Sequence, residues 1–311
     1  MKSSLLEIVQ WCNCITDFGA IVDSPSYWQL LVGTQLVGLI RTGEVSSLRT
    51  ASDGQSPPPL EFKDCERQVT FAAWCDSRAK RTDAMAKLLA QMRHEESWAS
   101  LAKWRDELYP IYGDPSDPKG IAVFIERASA ANFGVRTFGV HINGIVRNAE
   151  TGELSMWIAR RSATKSMWPG YLDQVVAGGM GNGIGLTETV VKECYEEGGI
   201  PAELARTATC AGTIQYFTET DQGLQPETQF VYDLELPNDF VPRPQDGEVQ
   251  EFNLWPIPEV IERIKLKQFK PNSAMCIVDF LIRRGYITPE NEPDYLEIID
   301  NIHVKLPLPG F

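Results

Sequence analysis

Between Gly178 and Ile200 the chain reads GGMGNGIGLTETVVKECYEEGGI, with four glycines inside Gly178 to Gly183 and carboxylates at Glu193, Glu196 and Glu197. The backbone N–H groups of a glycine-rich turn can meet phosphate oxygens with little side-chain obstruction. At about 100° per residue, Val190, Val191 and Cys194 share one arc of a helix and the three glutamates occupy another. Like charges three or four residues apart destabilise a helix by a few tenths of a kcal/mol, about 0.2 to 0.5 per pair, so a cation is expected to offset them. A hard dication is the simplest one. Mg²⁺ takes oxygen ligands and is commonly shared between carboxylates and substrate phosphates, with Mn²⁺ as a substitute. The competing reading is a solvated acidic helix face.

The stretch resembles the Nudix box, G-x5-E-x7-R-E-U-x-E-E-x-G-U with U a bulky aliphatic. Gly178 takes the first glycine, Glu193 the glutamate after the arginine position, Glu196 and Glu197 the acidic pair, and Gly199-Ile200 the end. The right half matches well, with two clear departures: Ile184 stands where the first glutamate belongs and Lys192 replaces arginine, while Cys194 is a small substitute for the aliphatic. The resemblance implies that the box's first glutamate braces its arginine; Glu188 lies four residues before Lys192, the favourable order for a helical ion pair, and is expected to rebuild that brace.

The likeness continues in Arg160-Arg161-Ser162, Trp168-Pro169-Gly170, Leu172-Asp173 and the run from Phe269-Lys270-Pro271-Asn272 to Thr288-Pro289-Glu290. These resemble a fungal and plant subgroup of Nudix proteins related to the domain that accompanies thiamine pyrophosphokinase in some fungi. Tyr27-Trp28 and Val37 to Arg41 are similar to that subgroup's extra N-terminal domain. The resemblance implies an α/β/α Nudix sandwich preceded by a small mixed α/β domain. It also implies Mg²⁺-dependent hydrolysis of thiamine diphosphate, preferentially of its oxo and oxy analogues, to the monophosphate. The alternatives are a nucleoside diphosphate pyrophosphatase, acting for example on ADP-ribose, and a non-catalytic diphosphate-binding module.

The site residues expected on this reading are Glu193, Glu196 and Glu197 for the metal, with Glu193, Glu197 or a later acid, Glu251 or its competitor Glu248, as base. Gly178 and Gly179 would face the diphosphate. Arg160 and Arg161 would either meet phosphate or pair with the acidic surface. Trp168, Tyr216 and Phe217 would hold the substrate rings, a cationic thiazolium over an aromatic face gaining about 0.5 to 2 kcal/mol; for Trp168 core packing is the competing reading. The resemblance implies a small-molecule partner and leaves room for a homodimer.

The elements that must position these residues are legible in part. The 311 residues are 43% hydrophobic and 10% aromatic, enough for two domains, placed at 1–125 and 126–311. A net charge of −13 disfavours polymeric nucleic acid, whose binding rests on Lys and Arg contacts to phosphate. Seven cysteines without a CxxC spacing suit a reducing compartment. No apolar run approaches about 18 residues, so a cytoplasmic protein without a membrane partner is expected.

Residues 4–12 have helical spacing, 28–32 and 35–40 read as a hairpin turning at Gly33-Thr34, and 51–59 as a loop. Residues 71–74 read as a strand, 82–92 as a helix, and the proline- and glycine-rich 109–120 as a linker. Strands are expected at 138–143, 154–159, 174–177, 209–218 and 228–236, with loops at 219–226 and 242–247. A last helix is expected over 272–284, capped by Asn272 or Ser273 and stopped by Gly285. His141, alone on its strand, reads as structural.

Overall fold

The computed structural model describes residues 2–165 and 167–311. The chain begins with α1 (Leu5–Cys12), whose Ser4 and Glu7 form a reciprocal capping box, and α2 (Phe18–Asp23). Two strands, β1 (Tyr27–Val32) and β2 (Gln35–Arg41), form the expected hairpin, with Gly33 at φ 61°. There follow α3 (Thr42–Asp53), β3 (Leu60–Lys63), β4 (Gln68–Phe71) and α4 (Arg78–His94). A four-stranded sheet runs in the order β2-β1-β4-β3. Met85, Leu88, Leu89 and Met92 of α4 are buried with β1 and β2 residues, as their 3–4 spacing predicts.

Three expectations shift here. The loop at 51–59 starts later, because α3 continues to Asp53. The strand expected at 71–74 ends at Phe71. The linker of 109–120 is a hairpin: β5 (Leu108–Tyr112) pairs antiparallel with β6 (Ile121–Glu126), and Tyr109, Ile111 and Tyr112 are buried. Of the prolines and glycines that suggested a linker, Gly113, Pro115, Pro118 and Gly120 make its turn, while Pro110 lies within β5. A short α5 (Ala130–Phe133) ends at the left-handed Gly134 and leads into the second sheet.

That sheet carries β7 (Thr137–Arg147), β8 (Leu154–Arg161), β9 (Leu172–Asp173) and β10 (Val176–Gly179). The box helix α6 (Leu186–Gly198) and a short α7 (Ala202–Ala205) follow. Next come β11 (Thr209–Thr220), β12 (Gly223–Glu235), β13 (Val249–Pro256), α8 (Ile257–Lys265), α9 (Pro271–Arg283) and α10 (Tyr295–Ile302). The order is β11-β12-β7-β8-β13, with β10 on β7 and β9 on β8. The polar stretch expected to bridge 218 and 228 is mostly strand, since β11 and β12 extend to a turn at Asp221-Gln222. Helix α9 starts at Pro271 in the first turn with Lys270 as cap, so neither Asn272 nor Ser273 caps it; proline fits there because a first-turn N–H has no helical partner anyway.

The sheet is covered on both faces. Val190 and Cys194 of α6 pack with Val140, Ile142, Trp157 and Val176 on one side. On the other, α8, α9 and α10 enclose Met156, Ile158, Ile214 and Val231. The same core contains Leu5, Ile8, Val9 and Cys12, so the first helix packs against the last part of the chain. The two sheets also meet through Leu39, Phe217 and Leu224 and through the Arg41–Glu219 ion pair at 2.8 Å. The mixed α/β class with a separate N-terminal sheet agrees with the expectation.

Candidate active site

The box is assembled where β10 runs into the glycine loop and α6 returns across it. Gly178 needs to be glycine: a Cβ there would stand 2.2 Å from the Glu193 Cδ. The close approach lets the Glu193 carboxyl lie against the strand, and its side chain is 14% exposed. One turn on, Glu197 is buried and accepts the Ala177 backbone N–H at 3.0 Å. Glu196 is exposed at 47%. The three carboxylates therefore do not share a solvated face; two turn inward beside the glycine strand.

Burial pushes Glu197 well above the usual carboxylate range; the Ala177 N–H offsets this in part, while Asp173, Glu193 and Glu248 add to it. Burial also raises Glu193, against the opposing charge of Lys192. Lys192 reaches Glu193 at 3.2 Å and Glu196 at 2.9 Å. Glu188 does not rebuild the brace: its carboxylate folds back towards Gly185, and Lys192 pairs with the other two glutamates. Ile184 is 37% exposed at the mouth of the loop.

These side chains suit a hard dication in donor type, all oxygen, and in charge, since the Lys192 ammonium already stands between two of them as a cation would. Among the described residues no group of three or more His, Cys, Asp or Glu side chains is gathered closely enough to hold a metal. Gathering them requires Lys192 to release Glu193 and Glu196.

The remaining expected residues divide by strand alternation. Arg160 lies on the face of Met156 and Ile158, bonded to Glu251 at 2.8 Å and to the Gly170 carbonyl at 3.0 Å. Arg160 and Glu251 thus lie on the side opposite the box helix: Arg160 takes its surface-pairing reading, and Glu251, expected as a base, is instead the exposed partner of that pair. Arg161 points the other way into a half-buried network, 2.8 Å from Asp173. Burial opposes ionisation of Asp173, but Lys270 and Arg161 outweigh it and hold its pKa at about 2. Glu248, the competitor to Glu251, pairs with Lys165 and is close enough to raise Glu197.

The aromatic expectations need correction. Phe217 is fully buried, 5.8 Å from the Phe18 ring, with its carbonyl bonded to Ile15. Tyr216 is buried too, its hydroxyl held among Glu227, Gln229 and Asn272. Neither ring is free to sandwich a substrate; both alternate inward from a strand covered on both faces. Trp168, half-buried, packs edge-on against the half-buried Trp11 at 5.3 Å and Tyr171 at 5.1 Å, at the margin rather than in the core. His141 is structural, buried with Nδ1 on Gln174.

What lies behind Gly179 is not legible in the sequence. A Cβ there would stand 2.1 Å from the Tyr109 hydroxyl and 3.2 Å from Arg127 Nη2. One at Gly181 would stand 2.7 Å from Glu107, and the Asn182 N–H donates to the Leu108 carbonyl at 3.0 Å. The β5–β6 hairpin thus buttresses the glycine loop. These residues lie far from the box in sequence and follow no periodicity that links them to it.

A model described as the NUDIX domain matches residues 137–275, and one described as a domain of unknown function, DUF4743, matches residues 4–137. The yeast (Saccharomyces cerevisiae) protein "Uncharacterized protein YJR142W" is 39% identical over 285 residues, 88% of this chain and 82% of its own length. "Nudix hydrolase 24, chloroplastic" of Arabidopsis thaliana is 37% identical over 297 residues, 95% of this chain and 76% of that one. "Nudix hydrolase 20, chloroplastic" of the same plant is 42% identical over 199 residues, covering 64% and 52%. With the box geometry, these likenesses place the chain in the Nudix hydrolase family, as a member whose Nudix domain follows a DUF4743 domain.

Proposed function

We propose that this Nudix hydrolase cleaves the diphosphate of thiamine-type diphosphates, thiamine diphosphate and preferentially its oxo and oxy analogues, to the monophosphate. The family membership gives the coarser statement, a diphosphate hydrolase. The observation that favours the thiamine and oxythiamine diphosphates, whose rings are cationic, is the charge around Tyr109, beside Gly179. Burial raises its hydroxyl most; of the charges around it, the Arg127 guanidinium acts most strongly and is opposed by Glu107, Glu227 and Glu193. With Arg127 left to meet the diphosphate, the carboxylates around it suit a cationic ring such as a thiazolium better than the neutral sugar of a nucleotide sugar.

In this reading Glu193, Glu196 and Glu197 hold Mg²⁺, which when bound neutralises charge on the phosphate oxygens and lowers the pKa of water. The chain's own contribution is positional. The glycine loop presents N–H groups to the diphosphate, and the inward Glu197 is fixed by Ala177. Glu197 or Glu248 takes the proton of the attacking water. Among the described residues no helix is long and apolar enough to cross a membrane.

The test is product analysis with purified protein and Mg²⁺ on thiamine, oxothiamine and oxythiamine diphosphates and ADP-ribose in parallel. Monophosphate is expected fastest from the thiamine analogues, and Glu197→Gln is expected to lower kcat at least about a hundredfold. Cleavage of ADP-ribose alone would move the assignment to nucleotides.

A further inference from the structure

We infer that Arg127, which lies within the stretch matched by the DUF4743 model, is a substrate-binding residue of the Nudix site, its guanidinium meeting the diphosphate beside Gly179. This rests on the diphosphate-hydrolase reading and deepens it by making the site composite.

The geometry is built rather than incidental. Arg127 follows β6 directly, and its backbone N–H is fixed by the Glu107 carbonyl at 2.8 Å. The guanidinium lies over the Tyr109 ring, 5.3 Å from its centroid, and Nη1 bonds to Glu107 at 2.7 Å. Among the described residues that bond is the one side-chain hydrogen bond Arg127 makes. Nη2 points at Gly179, where a Cβ would lie only 3.2 Å away. The Arg127 side chain is 39% exposed, so a ligand can reach it. Its charge and that of Glu193 also act on each other.

A guanidinium held by stacking and one carboxylate, with a free edge against a glycine strand, is suited to phosphate. Its planar fork can give parallel N–H bonds to two oxygens, and its ordering is already accomplished before the ligand arrives. Lys192, in the box's arginine position, is occupied by Glu193 and Glu196, which leaves Arg127 as the cation beside Gly179 with donors to spare. Gly179 and Gly181 lack side chains on the sides facing Tyr109, Arg127 and Glu107. Any other residue there would force the hairpin away from the loop. The same hairpin contact keeps Arg127 in place while the loop binds.

The experiment compares the full-length wild type with Arg127→Ala, Arg127→Lys and, as a docking control, Arg41→Ala. Arg41 ties the same two parts of the chain together through Glu219, away from the glycine loop. Two readings are taken with Mg²⁺ present: steady-state hydrolysis of the best diphosphate substrate, and calorimetric affinity for the non-hydrolysable methylenediphosphonate. Arg127→Ala is expected to weaken methylenediphosphonate binding and raise KM by about tenfold to a hundredfold, the range of a lost charge-assisted bond. Arg127→Lys should recover part of this, and Arg41→Ala should leave both within about threefold while lowering the melting temperature at least as much as Arg127→Ala.

Equal losses in Arg127→Ala and Arg41→Ala, or unchanged affinity and KM in Arg127→Ala, would overturn the assignment. If the wild type binds methylenediphosphonate yet turns over no diphosphate, the function reading fails while the affinity comparison still decides on Arg127.

Discussion

At the scale of single residues, the glycine at position 178 and the inward turn of Glu197 set what the box can do. A methyl group on Gly178 would overlap Glu193 at Cδ and Cγ, at 2.2 and 2.4 Å, so Gly178→Ala must swing that carboxyl away. Forced overpacking of this kind costs about 1 to 3 kcal/mol where the core cannot give. Here Glu193 is a side chain near the surface and can move, so the loss should fall on activity. The expected outcome is a drop in kcat of at least about tenfold with a fall in melting temperature of only a few degrees, read by steady-state assay and thermal melt. Wild-type kcat would show that Glu193 need not lie against the strand. Much of this was legible in sequence, because the box spacing places Gly178 and the carboxylates together. The fates of Tyr216 and Phe217 were not: an aromatic pair on an alternating strand looks the same whether one face is open or both are covered. Arg127 was invisible because its partner, Gly179, is brought to it by packing alone.

At the scale of elements, the strands that carry the site were easier to read than the elements that brace them. Strand β7 was recognisable from Phe138, Val140 and Ile142, and it lies at the centre, paired with β12, β8 and β10. The hairpin β5–β6 was hidden by Pro110, Gly113, Pro115 and Pro118, which read as linker until Tyr109 and Ile111 are seen packed in the first core. Helices α8 and α10 carry helical periodicity as well.

Strand β7 also makes a pH prediction. Burial, with the nearby Lys270 charge, lowers the pKa of His141 to about 4. In the unfolded chain it would be about 6.5. The unfolded state therefore takes up the proton first as pH falls. The stabilisation is fully present above about 6.5 and is lost between there and about 4, amounting to as much as roughly 3 kcal/mol. Urea unfolding of wild type and His141→Asn at pH 7 and pH 4.5 isolates this term, since other titrating groups are common to both. The stability difference between the two should shrink or reverse at the lower pH. A difference independent of pH would mean that His141 titrates alike in the folded and unfolded chain.

At the scale of the whole molecule, the chain's two ends close on one another, although the sequence matches divide it into consecutive parts. Residues 137–275 match the Nudix model, but the sheet they form is covered on its outer face partly by α1. Leu5, Ile8, Val9 and Cys12 are buried there against α9 and α10. Asn13, itself buried, accepts the Phe217 N–H at 2.9 Å and donates to the Asn301 carbonyl at 3.1 Å, tying the first helix to β11 and α10 at once. Burying side chains of this size contributes about 1.5 to 3 kcal/mol each, so losing three or four of them approaches the 5 to 15 kcal/mol by which a domain is stable. Removal of residues 1–13 should therefore destabilise the hydrolase domain itself rather than only the N-terminal sheet. A shortened chain of residues 137–311 should be worse, since it also loses the hairpin behind Gly179. Expected results are a melting temperature for the 14–311 chain lower by at least about 10 °C, and a 137–311 chain without a cooperative transition. Adding a synthetic peptide of residues 2–13 should raise the melting temperature of the 14–311 chain in a concentration-dependent way, because a ligand that binds only the folded state stabilises it by mass action. A 14–311 chain that melts like the full protein would show that the α1 contact adds nothing to stability, and that the N-terminal helix is carried for another purpose.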